Sequence, residues 1–293
     1  MTDVPLMLDN LRVTDCHMHV QPWRNLNRDV LEVMRKAQDD FDAVLEMMYD
    51  PTLLLAFMDD QGVDRVGMVS YPAQDTMGMG NETNEHTLRY AQADPRRLLP
   101  YGGINARFTT NPTRDVEELI DKGVRMLKIH PPHQKYPANA YTEGLAALGE
   151  IYGTCERHGL PVLIHTGTSI FPGARCKYGN PLELDDVALD FPDLQIVMGH
   201  GGRPFYMGEA FFVLRRHKNV WFDMSGVPPN SLLDYYPKLT ELEHKLLWGT
   251  DWPSPGVKTM RKNIDQFLAL PLSESLKRAA LQTNPERLLP DRG

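Results

Sequence analysis

A chain of 293 residues, 42% hydrophobic and 24% charged, can bury a large core and has the balance of a globular protein. Its formal net charge of −8 would repel a polyanion, and no basic run offsets that charge, so nucleic acid is excluded as a partner. Three scattered cysteines, Cys16, Cys155 and Cys176, argue against a disulfide framework and for a reducing cytoplasm, and neither a leader pattern nor an apolar run of membrane-spanning length is found.

Along the chain, a short apolar run followed by an amphipathic stretch repeats. The pattern predicts eight strands, at 13–17, 65–70, 98–104, 124–130, 161–165, 195–200, 220–224 and 245–250. A long segment follows the first strand, 21–50, which holds Trp23 and a predicted helix over 28–48. The Gly-rich stretch 76–80 follows the second strand and reads as a flexible loop. Apolar residues three and four apart predict helices at 84–93, 113–122, 145–158, 181–190 and 204–216, with two more after the last strand at 260–268 and 273–281. Strand alternating with helix means parallel strands, and eight repeats in one chain fit an α/β architecture, a (β/α)₈ TIM barrel. An open doubly wound sheet would carry a Gly-rich phosphate turn after the first strand, and none is present. The expectation is one domain, 1–293, with the 21–50 segment as a cap over the mouth of the barrel.

His17-Met18-His19 ends the first strand, and alternation places both imidazoles on one side. A lone HxH is weak evidence for a metal. His165, His200 and Asp251, however, each follow directly on the fifth, sixth and eighth apolar runs. In a closed barrel all these strand ends meet over one cavity. Any one of them could instead cap its strand by bonding to backbone.

Four motifs, His17-Met18-His19, Val162–His165, 197–202 and 248–253, resemble those of the amidohydrolase superfamily. The resemblance extends to the terminal Asn284-Pro285-Glu286-Arg287-Leu288-Leu289 and is nearest the branch that includes aminocarboxymuconate semialdehyde decarboxylase and γ-resorcylate decarboxylase. It implies that His17, His19, His165 and Asp251 hold one divalent metal, zinc first and manganese as the alternative. It also implies that Asp251 takes a proton from metal-activated water, and that His200 is either a second-metal ligand or a catalytic acid/base. Some decarboxylases of the branch replace both His residues of HxH; this chain keeps both.

Lys128 and His130 share a face of the fourth strand. Three readings of Lys128 stand: a carbamylated bridge to a second metal, a contact to a substrate carboxylate, or a structural ion pair. Arg203, Arg107 and Arg175 follow strands six, three and five and could grip an anionic substrate, and Trp252, Tyr71 and Trp23 could line the pocket. Asp223 lies on strand seven, with its side left open by the pattern. The functional expectation is a hydrolase of an amide, ester or lactone in a small polar, carboxylated molecule. The alternatives are a nonoxidative decarboxylase of an aromatic or unsaturated acid and a metabolite binder without catalysis. No membrane partner is expected, and a homodimer is the default assembly.

Overall fold

All eight apolar runs form strands in the computed structural model, which describes residues 10–291. They are β1 (Thr14–His19), β2 (Arg65–Val69), β3 (Leu98–Gly103), β4 (Met126–Ile129), β5 (Val162–His165), β6 (Ile196–Gly199), β7 (Val220–Asp223) and β8 (Leu246–Leu247). Each pairs in parallel with its sequence neighbour, in the order β1 to β8. Backbone bonds bring β8 back to β1: Cys16 N–H to the Trp248 carbonyl at 2.9 Å, Asp251 N–H to His17 at 2.7 Å and His19 N–H to Trp252 at 2.8 Å. The result is a TIM barrel built around one core, in which Met18, Val66, Leu127, Ile164, Met198 and Phe222 are all fully buried.

The segment between β1 and β2 differs from its expectation. The helix predicted over 28–48 is two helices, Arg28–Ala37 and Phe41–Met47. Gln38 is extended at the break, and its side-chain amide donates to the Pro253 carbonyl at 2.6 Å. Asp40 then caps the second helix by accepting from Ala43 N–H at 3.0 Å. A third helix, Pro51–Gln61, follows with Pro at its first position, an Asp50 cap and Gly62 at its end. The 76–80 stretch is not an open loop. Gln74–Met77 forms a helical turn, Ala73 bridges Met79, and Asn27 N–H donates to the Met77 carbonyl at 2.8 Å, tying this turn to the cap.

One buried carboxylate staples the β1–β8 seam. Asp15 Oδ1 accepts from the backbone N–H of Thr250 and of His17, both at 3.0 Å, while Oδ2 accepts from the Thr250 hydroxyl at 2.6 Å. Burial pushes its pKa up to about 7 against these hydrogen bonds. The folded pKa lies above the ordinary carboxylate value of 3.8, so the stability Asp15 contributes is present below about pH 4 and is lost as pH rises through about 7. Asn in its place can still accept at Oδ1 and donate to the Thr250 hydroxyl. Buried imidazoles act in the opposite sense as pH falls, so the difference between the two proteins is the quantity to measure. Denaturant unfolding from pH 4 to 7 is expected to show Asp15→Asn gaining on the wild type with rising pH, by an amount on the order of 4 kcal/mol. An unchanged difference would mean that Asp15 is not the titrating group.

Candidate metal centre

The C-terminal ends of the strands open into a cavity of about 240 Å³ that His19, Lys128, His130, His165, His200 and Asp251 all line. The strand periods explain this convergence. His17 and His19 leave β1 on the same side, and their ring centroids are 5.2 Å apart. Asp251 arrives from the turn after β8 with its Oδ1 3.0 Å from His19 Nε2 and 3.5 Å from His17 Nε2. His200 and Asp251 both hold left-handed backbone, with φ of 66° and 67°. Non-glycine residues seldom adopt this conformation, and such strain collects at functional positions.

Asp223 ends β7 and points into the same space. Its Oδ2 accepts from His17 Nδ1 at 2.5 Å, with both groups fully buried. That bond fixes the tautomer of His17 and leaves Nε2 as a lone pair with no partner. His19 Nδ1 is likewise buried without a partner. His200 Nδ1 donates to the Ser225 carbonyl at 2.8 Å, which frees its Nε2 in the same way. The Ser225 hydroxyl lies 3.0 Å from His17 Nδ1, 3.1 Å from His200 Nδ1 and 3.0 Å from Asp223 Oδ2.

Among the described residues, two groups of side chains have ligand atoms close enough for one cation: His17, His19 and Asp251, and His17, His200 and Asp223. The second is tied up in its own hydrogen bonds. The first has the orphaned nitrogens, so it fits a metal better. Two imidazoles and a carboxylate suit zinc or manganese. His165 stays outside both groups. Its Nε2 faces the Thr168 carbonyl at 3.2 Å, and its ring centroid is 4.6 Å from that of His200.

Electrostatics favour coordination. Burial lowers the pKa of His17, against the charge of Asp223, and lowers those of His165 and His200 further, so these imidazoles are neutral near pH 7. Burial also pushes Asp251 up, but the hydrogen bond from His19 and the charges of His17, His19 and Arg203 outweigh it and hold the carboxyl at about 2. Lys128 is fully buried, and its Nζ has no hydrogen-bond partner. Burial draws its pKa down to about 8 against the pull of Asp223 and Asp251. No ion pair holds Lys128 among the described residues, which removes the structural-pair reading.

The other expected substrate residues divide. Arg203 lines the cavity, with Nε donating to the Gly226 carbonyl at 2.5 Å and Nη2 3.5 Å from Asp251 Oδ2. A Cβ on Gly226 would sit 2.4 Å from this guanidinium, so the arginine needs that glycine. Gly201 and Gly202 make the tight turn before Arg203, with φ of 57° and 73°, and Gly201 packs against Tyr236. Arg107 is drawn away by Asp75, 2.7 Å from its Nη1, and Arg175 is exposed; neither lines the cavity. Trp252 is buried against Phe57, ring centroids 5.0 Å apart, and does not reach the cavity either. Trp23 and Tyr71 do line it. Gln21, His133 and Ser169 line it too and were not foreseen. Gln21 Nε2 is a further buried donor without a partner.

The chain matches the amidohydrolase family over residues 14–290. It belongs to that family. A search of curated proteins found no match. Among solved structures, an uncharacterized TIM-barrel protein from Bordetella bronchiseptica is 22% identical, with a TM-score of 0.74 over 95% of this chain and 98% of that one. A probable 2-pyrone-4,6-dicarboxylic acid hydrolase from Acinetobacter baumannii, solved with citric acid, is 19% identical, with a TM-score of 0.69 over 95% and 99%. A 5-carboxyvanillate decarboxylase from Novosphingobium aromaticivorans, solved with manganese and 3-methoxy-4-hydroxy-5-nitrobenzoic acid, is 16% identical, with a TM-score of 0.65 over 96% and 97%. At these identities the likeness establishes the fold. The family is one of enzymes, and two of these neighbours are named for an activity, a probable hydrolase and a decarboxylase.

Asp223 orients the imidazole of His17, a candidate ligand, without being the best-placed candidate itself. Asp223→Asn is therefore expected to weaken zinc affinity roughly 10–100-fold, measured by competition with a chelator. Unaltered affinity would mean that the His17 tautomer does not depend on Asp223.

Proposed function

We propose that this amidohydrolase is a metal-dependent hydrolase of a small carboxylated molecule containing an amide, ester or lactone. The observation that carries the reading is the buried, unpartnered His17 Nε2 beside the Asp251 carboxylate, in a cavity that Lys128, its Nζ also without a hydrogen-bond partner, helps to line. A divalent metal held by His17, His19 and Asp251 would supply Lewis-acid polarisation of a substrate oxygen and would acidify water.

The chain's own residues supply the rest. Asp251 is held ionised, so its Oδ2 can accept the proton of an attacking water. Arg203 beside that oxygen keeps the carboxylate oriented. His200, its Nδ1 committed to the Ser225 carbonyl, presents a neutral Nε2 lone pair that can take the water's proton on from Asp251 and hand it to the leaving group. Lys128 Nζ, aimed into the cavity with no protein partner, and Arg203 suit a substrate carboxylate. Trp23, Leu26, Met34 and Phe171 give the cavity an apolar wall suited to a flat, unsaturated body. The names of the hydrolase and decarboxylase neighbours both describe a carboxylated ring.

The apolar wall also favours a second reading, decarboxylation of an aromatic or unsaturated acid. That reaction needs a proton donor to carbon. Asp251 and His200 are both held without their protons at neutral pH, which supports base chemistry and puts hydrolysis first.

Elemental analysis should find about one zinc or manganese per chain, lost in the His17→Ala, His19→Ala double variant. Carboxylated lactones and esters should be turned over, with kcat reduced about 10²–10⁴-fold in Asp251→Asn. CO₂ release from aromatic acids, with no lactone or ester hydrolysis, would move the assignment to the decarboxylase. Metal in neither protein would remove the metal-dependent reading.

A further inference from the structure

Opposite the metal centre, a chain of hydrogen bonds crosses three strand ends. Tyr71 follows β2, His133 lies in the short turn Pro131–Gln134 after β4, and Ser169 lies in the loop after β5. The Tyr71 hydroxyl is 2.9 Å from His133 Nδ1, and His133 Nε2 is 2.7 Å from Ser169 Oγ. All three residues line the cavity. The imidazole cannot turn easily: His130 stacks on it at 3.6 Å between centroids, and Phe171 meets its edge at 5.7 Å. Gln134 fixes the turn itself, donating to the Pro72 and Ile104 carbonyls and accepting from His130 N–H and the Tyr136 hydroxyl. The Cys176 thiol holds the Ser169 backbone, accepting from its N–H and donating to its carbonyl, both at 3.4 Å.

Hydrogen-bond accounting gives this chain a direction. The Tyr71 hydroxyl is buried and has His133 Nδ1 as its one hydrogen-bond partner. If His133 Nδ1–H donated to Tyr71, the phenolic hydrogen would have no acceptor among the described residues, and where it stays unmet the penalty is about 1–3 kcal/mol. With Tyr71 donating to Nδ1, His133 carries its hydrogen on Nε2 and donates to Ser169 Oγ. Ser169 Oγ also accepts from Phe171 N–H at 3.3 Å. Both lone pairs are then used, and the serine hydrogen has only the cavity to point into. This direction also excludes a nucleophilic serine, since His133 gives a hydrogen to Ser169 and takes none from it.

We infer that Tyr71 and His133 are positioning residues that turn Ser169 into a fixed hydrogen-bond donor to a carboxylate of the substrate, making Ser169 a specificity-determining residue. The inference rests on the carboxylated substrate proposed above. Lys128 and Arg203 supply charge to that substrate, and Ser169 supplies a directional contact from another wall.

Two measurements on the zinc-loaded protein test it, with benzoate and isophthalate as probes. Long-range ¹H–¹⁵N correlation on ¹⁵N-histidine protein reports each ring's tautomer, with His133 identified by its loss in His133→Gln. The expected form is Nε2–H, and Tyr71→Phe should let both forms appear. Calorimetry should show benzoate binding weakened roughly tenfold or more in Ser169→Ala and less in Tyr71→Phe. Tyr71→Phe should have no further effect once Ser169 is Ala. Ser169→Thr, which keeps the hydroxyl, should recover most of the affinity. An Nδ1–H tautomer in the wild type, or benzoate affinity unchanged in Ser169→Ala, would overturn the inference and leave the carboxylate reading standing. An Nε2–H tautomer in a wild type that binds neither probe would overturn the carboxylate reading and, with it, the role of Ser169.

Discussion

Three backbone hydrogen bonds join β1 to the segment after β8, and the site depends on them. His17 and Asp251 stand at opposite ends of the sequence, yet their side chains lie 3.5 Å apart because Asp251 N–H donates to the His17 carbonyl. Asp15 reinforces this seam from below through Thr250, the residue immediately before Asp251. A carboxylate that accepts three hydrogen bonds in the core is costly to bury ionised. Its place directly beneath two candidate ligands explains why it is tolerated: it holds the two chain ends at one separation, and that separation is what a cation would sense.

Desolvation then sets the chemistry of the cavity. His130 stacks between His133 and His165 at centroid distances of 3.6 and 3.8 Å. Burial, with the charge of Lys128 acting in the same sense, keeps all three rings neutral. Neutral imidazoles can coordinate, accept or donate, but they cannot balance an anion. That task is left to Lys128 and Arg203, the cations that line the cavity. The carboxylates Asp223 and Asp251 are each committed to an imidazole, and Asp251 also lies 3.5 Å from Arg203. Two cations beside neutral imidazoles in a cavity of about 240 Å³ suit a substrate with an anionic end.

Much of this was legible in the sequence because barrel geometry is periodic. Alternation alone put His17 and His19 on one side, and a closed barrel brings any residue at a C-terminal strand end to the same mouth. The side of Asp223 could not be read, because it depends on the register of β7 against β6, where it pairs with Gly199. Arg107 and Arg175 failed for a related reason. Position in a loop does not say where a long side chain goes, and Asp75 captured the first. The break at Gln38 was hidden because the helical pattern continues through it, while the amide of Gln38 bonds a carbonyl over two hundred residues away. Tyr71, His133 and Ser169 come from three separate strand ends, so no local pattern could join them.

The cavity thus has two makers. The barrel end supplies the polar groups, held by strand register, by the left-handed turns at His200 and Asp251, and by bonds such as that from His17 to Asp223. The cap supplies Trp23, Leu26 and Met34, held by tertiary contacts such as the Gln38 amide on the Pro253 carbonyl. Fold alone therefore constrains what kind of bond is attacked more tightly than it constrains the molecule that carries it. The short turn after β4 lies between these halves, with His133 stacked on the polar side and the Thr76 hydroxyl donating to its carbonyl at 2.9 Å. That bond ties the cap-side turn that carries Met77 to the peptide carrying His133. Hydrogen bonds thus run unbroken from the cap-side turn through His133 to Ser169, so the apolar wall and the polar donor share one support.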